Sequence, residues 1–178
     1  PLPVAGHLLL SIVLIAGATS LYDRRESPIS RIKAKDRLIA NLSLAHIALT
    51  FFVIALGTLV TGSGPHAGDL KARRFGFDIR TMAWIHADVV IALLGLTLAL
   101  YIATRTNALH RRRITIFTII AIAQGAIGYI QYFTGIPEIL VAAHLLGATL
   151  VWIAAWRIRL MFISTSTNHR KLKAGGHP

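Results

Sequence analysis

The chain has 178 residues, a net charge of +12 and no cysteine. With 54% hydrophobic residues and a mean hydropathy of +0.62, it is too apolar for an ordinary soluble domain and reads as an all-α polytopic membrane protein. The missing cysteine excludes disulfides, thiolate metal sites and cysteine nucleophiles within the chain.

The first stretch, PLPVAGHLLLSIVLIAG, enters an apolar run at once, without a Met or a charged leader. It reads as the last helix of an arrangement whose earlier part precedes it, not as a signal peptide. Apolar runs predict five membrane-spanning helices, over roughly 4–22, 38–61, 81–104, 114–133 and 137–162. Each can cross ~30 Å of hydrocarbon at ~1.5 Å per residue. Gly62 is expected to cap the second helix and Pro137 to sit in the first turn of the fifth. The expected organisation is a lone helix over 1–22, a basic linker over 23–37, a four-helix bundle over 38–163 and a polar, disordered tail over 164–178.

Placement of the basic residues decides what the charge means. Fifteen of them fall in the linker, in the link after the third helix and in the segment from Arg157 onward; only Lys71, Arg73, Arg74 and Arg80 fall on the other side. The positive-inside rule puts the first group in the cytoplasm. The basic excess is thus an orientation signal, and nucleic acid is not an expected partner; the bilayer is.

Orientation then sorts the histidines by depth. His86 lies roughly 8 Å in from the outer end of the third helix and His144 roughly 10 Å in from the outer end of the fifth. His7 lies near the outer end of the first. His46 lies on a different level, toward the inner end of the second helix, and is expected to be structural; His110, His169 and His177 fall in cytoplasmic segments. An ionisable side chain in a membrane helix is a functional-site hypothesis by default. His86 and His144 have two alternatives: each hydrogen-bonds a neighbouring helix, or the two ligate one haem iron from opposite faces within a bundle core. VAGHLL around His7 repeats VAAHLL around His144, which favours a shared use of the motif.

Other residues frame this layer. Gly6, Ala143, Gly147 and Ala148 flank histidines and permit close approach of a helix or a flat macrocycle. GTLVTGSGPHAGD, over 57–69, carries glycines whose backbone N–H groups can form an anion nest, and His66, Lys71, Arg73, Arg74 and Arg80 follow on the same side. His66 and Arg80 are candidate contacts for haem propionates, an ordinary solvated loop being the other reading. Gln124 and Gln131 share a face of the fourth helix and are expected to hydrogen-bond across helices. Asp88 needs a partner, for which Arg80 or a backbone group is a candidate. A transporter would show Gly/Pro-broken helices near the midplane, and no segment has that form.

The ordered set GTLVTGSGPHAGD, WIHADVV, QGAIGYIQY and PEILVAAHLLGATLVW resembles the second half of the haem A synthase family, and PLPVAGHLLLS resembles the end of its first half. The resemblance covers nearly all of the chain except the links and the tail. It implies the fourth through eighth of eight helices: one complete four-helix haem-binding bundle plus the last helix of a preceding, pseudo-symmetric one. It implies conversion of haem O to haem A by oxidation of a porphyrin methyl to a formyl group, in a bacterial cell membrane with the haem sites toward the extracytoplasmic side. His86 and His144 would ligate a b-type haem and its iron, and His7 would ligate the iron of the substrate haem. The partner of His7 and the catalytic residues would lie in the missing first half, without which this part is expected to be inactive. Haem O synthase and terminal oxidase assembly factors are the implied partners. A non-enzymatic bis-histidine b-type cytochrome is the alternative.

Overall fold

In the computed structural model, which describes residues 2–26, 37–64 and 73–162, each apolar run is helical. The helices are α1 (Leu2–Glu26), α2 (Arg37–Ser63), α3 (Ile79–Ala103), α4 (Ala108–Phe133) and α5 (Glu138–Leu160). All five are long and apolar enough to cross a membrane, and no strand occurs among the described residues. The basic linker beyond α1, the tail, and the loop segment that holds His66 and Lys71 lie outside the described residues.

Helix ends differ from the hydropathy reading because polar caps set them. Helix α4 begins at Ala108, six residues before the apolar run. The Asn107 side chain accepts from the backbone N–H groups of Leu109 (3.0 Å) and His110 (3.1 Å), so His110 and three arginines become helical. His110 is therefore half-buried, its ring 4.9 Å from that of Phe162. Asp78 caps α3 by accepting from the Thr81 N–H at 2.7 Å. Pro137 is the N-cap of α5 and does not occupy its first turn. Gly62 is a buried residue inside α2, and Gly64 closes that helix by donating to Val60 O at 3.0 Å. Between α4 and α5, Gly135 and Ile136 both have positive φ (78° and 62°). The Ile136 N–H then reaches Gln131 O at 2.8 Å. Left-handed backbone at a β-branched residue costs roughly 1–3 kcal/mol, so the surrounding turn enforces it.

Helices α2, α3, α4 and α5 pack in sequence around a ring, since α5 returns to α2; α3 and α5 do not touch and sit diagonally. Helix α1 lies outside the ring against α5 and α2. The tightest packing is at the α3–α4 turn end, where Leu100, Ile114, Phe117, Ala155 and Ile158 are fully buried. Large apolar side chains such as Leu14, Ile91 and Ile119 are exposed around the outside. Hydrocarbon satisfies such a surface, and the helical hydrogen bonds leave little backbone for water to serve.

Polar contacts dock α1. Trp152 Nε1 donates to Ile12 O and Trp156 Nε1 to Ser20 Oγ, both at 2.7 Å. Asp23, which hydropathy assigns to the linker, is a buried residue of α1. Arg113 donates to its Oδ1 at 2.8 Å, and Arg157 approaches at 3.8 Å.

Candidate functional site

Helices α3 and α5 start at the same end of the ring. His86 is seven residues into α3 and His144 six residues into α5, so both imidazoles lie roughly 10 Å from their helix starts. On the two antiparallel helices, Gly57 is six residues before the end of α2 and Gly128 five before the end of α4. The four positions form one layer, with histidine and glycine alternating around the ring. His86 and His144 project from diagonal helices, and His144 lies within electrostatic reach of His86.

Contacts confirm the pairing of ring and glycine. A Cβ on Gly57 would meet His86 Cε1 at 3.4 Å, and one on Gly128 would meet His144 Cε1 at 3.0 Å and Nδ1 at 3.6 Å. Each imidazole therefore lies against glycine backbone, at ordinary contact distance from a Cβ at Gly57 and too close for an undisturbed one at Gly128. The Nδ1 atoms of both rings are buried without a hydrogen bond. The Val53 backbone is within reach of the His86 ring, yet no bond of good geometry to Nδ1 forms. A buried polar atom left without a partner costs about 1–3 kcal/mol; His46 Nδ1 is likewise buried without one, so this feature is not particular to the layer.

Gln124 braces the His144 side of the layer. Its Nε2 donates to the His144 carbonyl at 2.6 Å, a bond across helices of the kind expected from the sequence, and its amide lies against Gly147, filling the space a side chain there would take. Gln131 makes no such bond: its Oε1 is buried without a partner. It lines a small cavity of about 40 Å³, together with Val60, Thr61, Gly64, Ile79, Ile136 and Val141, at the same end of the bundle as the histidine layer.

The remaining candidates lie apart. His7 is exposed on α1, outside the ring. Arg80 is exposed near the start of α3, its guanidinium 6.0 Å from the Trp84 ring centroid rather than paired with Asp88. His66 lies outside the described residues. His46 is fully buried in the opposite half of the bundle, with Nε2 3.1 Å from Thr97 Oγ1 and its ring edge-on to Phe117 at 4.6 Å. The Thr97 hydroxyl already donates to Leu93 O at 2.7 Å, so His46 Nε2–H is the donor and Nδ1 carries the lone pair. This is the structural role expected of it.

The sequence reading found both histidines but treated Gly57 only as part of a loop motif and passed over Gly128. The signal for them is available in depth: each glycine sits as far from its helix end as a histidine does on an antiparallel neighbour. Among the described residues no group of three or more His, Cys, Asp or Glu side chains is placed to hold a bare metal ion. Two imidazoles alone suit an iron whose other four ligands come from a macrocycle. No family model matches the chain, and no curated protein or solved structure matches it.

Proposed function

We propose that the His–Gly layer is a haem site and that the chain is part of a membrane-embedded oxidoreductase of the haem A synthase kind. The observation that carries this reading is the diagonal pair His86 and His144 at one depth, each ring against a glycine. The residues fit the group: His86 and His144 would hold it through their imidazoles, with glycine backbone beside them and an apolar surround. When bound, a b-type haem supplies a one-electron redox centre. The protein's part is to hold two imidazoles at fixed depth, which Gln124 does for α5 by bonding the His144 carbonyl, and to keep water away with packed helices.

In this reading the chain sits in a bacterial cell membrane, the layer lies in the extracytoplasmic leaflet, and the activity is oxidation of a haem O methyl to the formyl of haem A. Exposed His7 would belong to a second, substrate site completed by helices that precede it. In the full-length protein, His7→Ala should spare the haem b spectrum and lower the ratio of haem A to haem O; a normal ratio would give α1 a packing role only. A bis-histidine electron-transfer cytochrome is the second reading. It is favoured by the completeness of the His86–His144 layer within this chain. Both readings share one test. His86→Ala and His144→Ala should each abolish or convert a low-spin b-type spectrum, while His46→Ala should leave it. An unchanged spectrum in both of the first two variants removes the haem site.

A further inference from the structure

A groove of about 340 Å³ runs between α3 and α4 at the end of the bundle away from the histidine layer. Leu94, Leu98 and Tyr101 line one wall, and Thr115, Thr118 and Ile122 the other. Each wall spans seven residues, roughly 10 Å of helix, and much of it is open to the surface, with Leu98 60% and Ile122 58% exposed. It is an apolar slot with hydroxyls along it, on a helix face that no other helix among the described residues covers.

Both walls run out into arginine. Arg111 precedes Thr115 by four and Thr118 by seven on α4 and so continues that wall's stripe, and Arg105 lies in the α3–α4 turn, two residues beyond the end of α3. Arg112, three before Thr115, joins them. All three are exposed. The ion pairs described at this end do not use them: Asp23 is held by Arg113 and approached by Arg157. The first turn of α4 carries no acidic residue. An apolar slot of this length, followed at one end by three guanidinium groups that form no ion pair among the described residues, matches one kind of molecule in both halves. We propose that the α3–α4 groove binds an anionic phospholipid, with an acyl chain lying in the slot and the headgroup phosphate held by Arg105, Arg111 and Arg112. Guanidinium forks suit phosphate oxygens in bidentate geometry, and juxtamembrane arginines add attraction for anionic lipid over neutral lipid. A neutral phospholipid would fill the slot and leave the arginines without countercharge.

The test uses the whole chain in phosphatidylcholine nanodiscs doped with spin-labelled phosphatidylglycerol or spin-labelled phosphatidylcholine. The immobilised fraction should be several-fold larger for phosphatidylglycerol. Replacing all three residues, Arg105→Gln, Arg111→Gln and Arg112→Gln, should bring the two lipids level, whereas the corresponding Lys variant should keep most of the preference. Thr118→Trp should block the slot and reduce immobilisation of both lipids; the Thr118 hydroxyl donates only to Ile114 O within its own helix, so no interhelical bond is lost. Equal immobilisation of the two lipids by the unmodified chain overturns the proposal. So does a preference that survives the Gln replacements, or an immobilised fraction untouched by Thr118→Trp, which would reduce the effect to surface charge. Displacement of the lipid by millimolar inorganic phosphate would likewise show that the headgroup alone is recognised, and would remove the seated chain.

Discussion

A side chain at Gly128 would have to share space with His144, whose Cε1 lies 3.0 Å from where a Cβ would be. Gly128→Val should therefore rotate or shift the imidazole and perturb or abolish the low-spin spectrum expected of the proposed haem site, with little loss of helix content. Gly95→Ala, on α3 where an added Cβ meets nothing within 4 Å, should leave the spectrum unchanged. An undisturbed spectrum in Gly128→Val would separate the glycine from any ligand role of His144. At Asp78, hydrogen bonding from the Thr81 hydroxyl and then from its N–H holds the carboxyl below the ordinary aspartate range. A depressed carboxylate contributes stability above its unfolded pKa and loses it as pH falls through the folded value. Thermal stability should accordingly fall on acidification below the ordinary aspartate range more steeply in the parent than in Asp78→Asn, whose amide caps at every pH. Parallel acid profiles for the two would mean that the cap carries no charge-dependent stability.

Between elements, the association of α1 with the ring depends on groups that hydropathy does not weigh. Trp152 Nε1 reaches a main-chain carbonyl, Ile12 O, and Asp23 meets Arg113 across 90 residues of sequence. Trp152→Phe keeps an aromatic ring and loses the N–H; it should cost about 1 kcal/mol, the net worth of a hydrogen bond. Asp23→Ala should cost more, about 3 kcal/mol, because it strands a mostly buried guanidinium. Both losses are measurable as shifts in denaturation midpoint in detergent. A neutral Asp23→Ala would mean that Arg113 is satisfied by Arg157 O alone, to which it also donates at 2.7 Å. These contacts mark what was legible. Five helices followed from the length of the apolar runs, and the common depth of His86 and His144 followed from counting along them. The start of α4 did not, because one asparagine extends the helix through charged residues. Nor did the glycine partners, because a close approach depends on which helices become neighbours, and the ring order appears only in three dimensions.

On the scale of the whole molecule, the two ends of the ring differ in chemistry. One end has the histidine layer, the Gln131 cavity and the short Thr134–Pro137 connection. The other has Arg24, Arg25, Arg105, Arg111, Arg112, Arg113, Arg157 and Arg159 on three helices and the α3–α4 turn. Arginine-rich ends stay in the cytoplasm because moving such segments across the bilayer is disfavoured. That argument is the basis for the proposed placement of the layer in the opposite leaflet, an orientation that can be measured. The chain contains no cysteine, so a single one can be introduced without background. Thr134 and Thr106 are both exposed and lie in connections at opposite ends of α4. In intact cells an impermeant thiol reagent should label Thr134→Cys and should reach Thr106→Cys only after the membrane is opened. Labelling of Thr106→Cys alone in intact cells would reverse the molecule, move the histidine layer to the cytoplasmic leaflet and turn the arginine cluster outward. Any donor of electrons to the layer would then have to approach from the cytoplasm, so the labelling result fixes the side on which such a partner is to be sought.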